Sequence, residues 1–198
     1  MASPLRFGIG GCCCGWHGLN MSGELDALPC SAERKVALRE VIARYVALER
    51  AVQQAHIPVC APTCAKCVKI CCAHKFCTEA IESPWLRLVW EQAGHSEAEF
   101  DAVQGWLTPT GCKLTAGRPP VCYAFLCSQI LDPMPDRDAR DFHLDQAALI
   151  TRTGRRAYGE RSLVELSRDD IASRLNLSKL DRAIAAAWRE LESAGVAG

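Results

Sequence analysis

Apolar residues recur at helical spacing along most of the chain. In SAERKVALREVIARYVALERAVQQAH, which begins at Ser31, the residues Leu38, Val41, Ile42, Tyr45, Leu48 and Val52 fall on one face. That period predicts a long amphipathic helix over 31–56. Ser31 is its N-cap, Glu33 complements the dipole in the first turn, and Pro58 is the stop signal. SPWLRLVWEQAG predicts a second helix, with Ser83 as cap, Pro84 at the first helical position and Gly94 as terminator. SEAEFDAVQGW reads as a short helix with Ser96 and Glu99 at capping-box spacing. VCYAFLCSQIL is apolar almost throughout and reads as a buried helix. Near the C-terminus Leu177, Leu180, Ile184, Trp188 and Leu191 form another helical stripe. Ser167 with Asp170, and Ser178 with Asp181, have the spacing of capped starts. No run alternates with period two, so the expected fold is all-α.

Between these periodic segments the composition changes. Residues 1–30 are rich in Gly and Cys, and residues 31–131 carry the helical pattern and most of the cysteines. Residues 132–161 are charged, include Pro133 and Pro135, and read as a linker. Residues 162–198 read as a helical pair. The expected architecture is a small helical domain with irregular, Cys-bearing loops and two C-terminal helices. Those last helices pack on the domain or receive a protein partner.

The totals narrow the class. The chain has 198 residues, 49% hydrophobic and 23% charged, with a formal net charge of +0. Such a chain can bury a core and is not disordered. Its neutrality gives no support for a nucleic-acid partner. No apolar run approaches the roughly 18 residues of a membrane span. The N-terminal MASPLRFGIGG is too short and glycine-rich in its apolar part for a secretion signal. The expected compartment is the cytoplasm.

Thirteen cysteines change this picture. They fall at Cys12–Cys14, at Cys30, in a group from Cys60 to Cys77, and in a group from Cys112 to Cys127. A reducing cytosol favours metal or redox chemistry over structural disulfides for so many thiols. In CAPTCAKCVKICCAHKFC the residues Cys60, Cys64, Cys67 and Cys71 would share one face of a continuous helix. A packing stripe has the same spacing, but it would ordinarily mix in Leu, Ile and Val. An all-thiol face suits a soft metal: zinc, Cu(I) or an iron–sulfur cluster. Cys72 and Cys77 add donors off that face, and Lys66, Lys69, His74 and Lys75 add positive charge.

The second group lies in GCKLTAGRPPVCYAFLC. Cys112, Cys122 and Cys127 flank a loop stiffened by Pro119 and Pro120, with Gly111 and Gly117 available for tight turns. Arg118 has two readings here: a donor to a thiolate sulfur at the cofactor, or a partner for a carboxylate.

These motifs resemble a known family. CAKCVKICC (Cys64, Cys67, Cys71, Cys72) resembles the Cys-x2-Cys-x2-Cys-Cys signature of the YkgJ-like proteins, described as zinc- or iron-chelating. CKLTAGRPPVC is similar to that family's second signature, with Arg118-Pro119 six positions after Cys112 and three before Cys122. The resemblance covers residues 58–130. Three residues, where the family has two, separate Cys67 from Cys71-Cys72, and Cys60, Cys77 and Cys127 lie outside the signatures. It implies a metal centre held by Cys64, Cys67, Cys71, Cys72, Cys112 and Cys122; Cys77, Cys127 and Cys60, outside the signatures, rank next as candidate ligands. An iron–sulfur cluster is the first choice and zinc the second.

Other readings remain open at this level. The Cys60-Cys64-Cys67-Cys71 stripe is similar to that of Cu(I) storage bundles, although the remaining long helices carry no Cys. DDIASRLNLSKLDRAIAAAW resembles a degenerate helix-turn-helix and would suit a metal- or redox-sensing regulator. Six basic and six acidic residues between Arg161 and Glu192 leave it without a basic face. Cys60-x3-Cys64-x2-Cys67 matches the spacing of radical iron–sulfur enzymes, without the strands such enzymes require. Cys12–Cys14 and His17 belong to a tail or to a flap over the metal. No catalytic constellation stands apart from the thiols.

Overall fold

A computed structural model describes residues 23–64, 66, 74–108, 111–159 and 161–195. It is mostly helical. The first helix, α1 (Ala32–Cys64), runs 33 residues, about 50 Å at 1.5 Å per residue. Ser31 caps it, its Oγ accepting from the Arg34 N–H at 3.3 Å. Leu38, Val41, Ile42, Tyr45, Leu48 and Val52, the expected face, are all buried.

Contrary to expectation, α1 does not stop at Pro58. It passes through Pro58 and Pro62 and ends at Cys64. Each proline removes a donor from the i→i−4 ladder. Pro58, Pro62 and Gln54 are all exposed, so the carbonyls released at Gln54 and Pro58 lie on the solvent side. Water can satisfy them there, which spares the freed carbonyls a burial penalty, while the clash of each ring with the preceding turn remains.

Three further helices form the body with α1. In α3 (Pro84–Gln92) Ser83 caps as expected, accepting from the Leu86 N–H at 3.3 Å while donating to the Val164 carbonyl at 2.9 Å. Trp85, Leu86, Leu88, Val89 and Trp90 are buried against α1 and its neighbours. α8 (Leu177–Ser193) buries Leu180, Ala183, Ile184, Ala187 and Leu191. Asn176 caps it, accepting from Lys179 N–H at 2.9 Å, in place of the expected Ser178. Ser167 and Asp170 do form the expected box, with Ser167 Oγ to Asp170 Oδ2 at 2.8 Å. It opens a five-residue wide turn, Asp170–Arg174, whose end is tied to α1 through Arg34 and the Ile171 and Leu175 carbonyls.

Residues read as a charged linker fold instead into α6 (Arg137–Ala147) and α7 (Leu149–Tyr158). Their polar composition describes only the outer face. Leu149, Ile150, Thr153, Gly154 and Ala157 of α7 are buried, largely against α8. Arg152 and Arg156 both clasp Glu190 of α8, at 2.9 and 2.6 Å.

The elements bearing cysteines are shorter. α2 (His74–Glu82) follows the first Cys group. The expected helix after Ser96 is a single 3-10 turn, Glu97–Glu99. β1 (Leu107–Thr108) and β2 (Gly111–Cys112) make a small antiparallel hairpin that pairs Leu107 with Cys112. VCYAFLCSQIL forms two single-turn helices, α4 (Val121–Ala124) and α5 (Ser128–Leu131), rather than one. The chain turns extended at Phe125 and Cys127, which keeps so apolar a segment from being buried on all sides. No helix among the described residues is long and apolar enough to cross a membrane.

Candidate metal centre

Because α1 continues past Pro58, its last turns carry His56, Cys60 and Cys64 at i, i+4 and i+8. At 100° per residue these lie within an arc of about 80°. They face a cavity of about 540 Å³. The opposite walls come from four other segments: Cys77 from α2, Cys112 from β2, Cys122 from α4, and Cys127 at the start of α5. Six of the nine cysteines expected as ligands therefore line one space, although they span 67 positions of sequence from Cys60 to Cys127. The other three, Cys67, Cys71 and Cys72, lie outside the described residues, as do Cys12–Cys14 and His17. Cys30 lies elsewhere and is half-buried against the main core.

The rest of the wall is mainly apolar, with Phe76, Trp106, Leu107, Leu114, Val121 and Ile130. Trp106 is fully buried and fixes the inner end. It packs on Trp90 at 5.5 Å between ring centroids and edge-on to Phe100 at 5.6 Å. Gly105, just before it, has φ +65°, and a Cβ there would come within 2.4 Å of Cys77 Cβ. Glycine thus lets the backbone lie directly against Cys77.

The thiols are arranged in neighbouring sets. Cys60 and Cys127 both pack on the small cluster of Leu126, Ile130 and Ala147. Cys77 and Cys112 are close enough for a charge on one to oppose a charge on the other. Burial pushes the Cys112 thiol above its ordinary pKa, opposed by the Arg118 guanidinium and the Leu114 N–H. Such a thiol stays protonated until a metal displaces the proton. Among the described residues, no three Cys, His, Asp or Glu side chains are gathered tightly enough to grip one ion. The donor set nevertheless suits a thiophilic metal: several soft sulfurs line one space, with Cys77 buried and Cys64 and Cys122 exposed at its open side.

Arg118 reaches the cavity wall, where its donors go to its own loop, the Cys112 thiol among its partners. Its Nε donates to the Leu114 carbonyl at 2.7 Å, and Nη2 reaches the carbonyls of Leu114 and Cys112. The guanidinium thereby holds the Cys112–Arg118 loop in shape and sets a positive charge beside Cys112 and Glu49.

Two groups escaped the sequence reading. Glu49 is fully buried beneath the cavity, and its Oε2 accepts from Gly117 N–H at 2.5 Å and Tyr123 O–H at 2.9 Å. It ties α1 to the second Cys loop. Burial raises its pKa to about 7, against the lowering effect of those hydrogen bonds and of Arg118. Tyr45 and Tyr123 are pushed well up by burial and by the Glu49 charge. The second group is His56, 8% exposed, whose Nε2 is buried with no hydrogen-bond partner. Burial, assisted by nearby His143, lowers its pKa and favours the neutral imidazole. The signal was present, since His56 is in helical phase with Cys60 and Cys64. Pro58 concealed it by suggesting that the helix ended between them.

Comparisons of the chain with protein-family models, curated proteins and solved structures found no match. The resemblance to the YkgJ-like proteins thus rests on the two motifs themselves.

Proposed function

We propose that this protein is a metal-binding protein whose two cysteine groups hold an iron–sulfur cluster or zinc. The observation that carries the reading is the convergence of Cys60, Cys64, Cys77, Cys112, Cys122 and Cys127 on one cavity. Core packing alone needs no such convergence from five segments, and isolated buried thiols stay inert. Cys64, Cys67, Cys71, Cys72, Cys112 and Cys122, the ligands implied by the family resemblance, remain the leading set. A tetrahedral zinc or one four-iron cluster takes four of them. The chain's own residues orient the thiols, line one side of the space with apolar groups, and offset thiolate charge through Arg118. The bound group would supply Lewis acidity if zinc, or one-electron redox chemistry if an iron–sulfur cluster. Cu(I) suits the sulfurs equally, but α3, α6, α7 and α8 carry no Cys, which disfavours a storage bundle.

Single serine replacements test the reading. Cys112→Ser and Cys122→Ser are expected to lose most of the bound metal, measured by elemental analysis after purification without oxygen. Cys30→Ser is expected to keep it. Equal metal content in all three variants and the parent would overturn the assignment of the cavity.

A further inference from the structure

We infer that His56 is a nitrogen ligand of the metal in this cavity, paired with Cys60 on the same face of α1, so that the centre is a mixed imidazole–thiolate site. The inference rests on the metal-binding reading above and adds to it. Three observations carry it. His56 and Cys60 are four residues apart on a continuous helix, the spacing by which one helix presents two donors to one metal. Both line the thiol cavity. The His56 side chain is more than nine-tenths buried, yet its Nε2 has no hydrogen-bond partner. A buried ring nitrogen without a partner is costly, and buried polar atoms are rarely left so. Coordination supplies the missing partner and uses the lone pair of the neutral ring. Cys127 packs on the same small cluster as Cys60.

Mixed nitrogen and sulfur ligation has chemical consequences. It suits borderline divalent ions such as zinc and cobalt(II), which accept both donor types. In an iron–sulfur cluster, replacing a thiolate by an imidazole raises the reduction potential. The centre inferred here therefore differs from the all-cysteine centre that the motifs alone imply.

X-ray absorption at the metal edge of the full zinc- or cobalt-loaded chain tests this directly. The parent is expected to show a nitrogen shell at about 2.0–2.1 Å beside sulfur at about 2.3 Å. His56→Gln is expected to lose that nitrogen shell and bind zinc at least ~10-fold more weakly in a chelator competition. His56→Cys guards against simple misfolding: it is expected to retain the metal with a shell made only of sulfur. Three outcomes overturn the inference while leaving the metal-binding reading intact: a parent shell of sulfur alone, a nitrogen shell that survives His56→Gln, or unchanged affinity in that variant. A parent that binds no metal overturns both.

Discussion

Replacing Glu49 by glutamine is expected to remove a pH dependence of stability that the native chain carries between about pH 4.5 and 7. Glu49 is fully buried, and its pKa is raised from 4.5 to about 7, chiefly by loss of hydration. Between those two values the folded chain holds a proton that the unfolded chain releases. Unfolding then becomes easier as pH rises, because the native state binds more protons than the unfolded state. The group's full stability is present below the unfolded pKa, declines through the window, and is lost above about pH 7. At 1.36 kcal/mol per pKa unit, the total is on the order of 3 kcal/mol. Tyr45, Tyr123 and Arg118 are the titratable or charged groups that face it. Glutamine keeps an oxygen to accept from Gly117 N–H and Tyr123 O–H, and it does not titrate. Urea unfolding of both proteins at pH 5, 6, 7 and 8 is the assay. The variant is expected to gain on the parent by roughly 2.5 kcal/mol from pH 5 to pH 8, most of it between pH 5 and pH 7. Parallel pH profiles would refute the reasoning, since they would mean that Glu49 is already ionised at pH 5 in the folded state.

Other outcomes follow from the same structure. Gly117→Ala is expected to cost at least about 2 kcal/mol in chemical denaturation, because φ is +78° and the new Cβ would sit 2.6 Å from the Trp90 backbone. Leu48→Ala, at a fully buried position on α1, is expected to cost about 2–5 kcal/mol. Val36→Ala, 53% exposed on the same helix, is expected to stay within about 0.5 kcal/mol. Ser83→Ala removes both a helix cap and a donor to the Val164 carbonyl, and is expected to lower stability by about 1–2 kcal/mol in thermal melts. On the proposed metal-binding reading, a chelator is expected to lower the Tm while far-UV circular dichroism still reports a mostly helical chain.

The helical body was legible because its signals are local. The α1 and α8 stripes, the Ser31 and Ser83 caps, and the Ser167–Asp170 box each need only a few neighbouring residues. What escaped depends on distant ones. Pro58 weakens a helix without obliging it to end, and the exposed position of the carbonyl it frees was not readable from its neighbours. α7 hides a buried face inside a charged segment because α8 supplies both an apolar surface and Glu190. Glu49 looked like one more polar residue on α1 until Gly117 and Tyr123, 68 and 74 positions away, closed on it. The cysteines were singled out by their density, their spacing and the two motifs. Their shared cavity required the fold, which bends α2, the hairpin, α4 and α5 around the end of α1.

The most direct test of the central claim is the metal and acid-labile sulfide content of the full chain purified without oxygen, read together with its visible spectrum. The expected result is bound metal in stoichiometric amount: iron with matching sulfide and broad sulfur-to-iron charge-transfer absorption, or one to two zinc ions per chain with no sulfide. A chain that carries neither, and takes up neither when offered zinc or iron with sulfide under reducing conditions, would contradict the account.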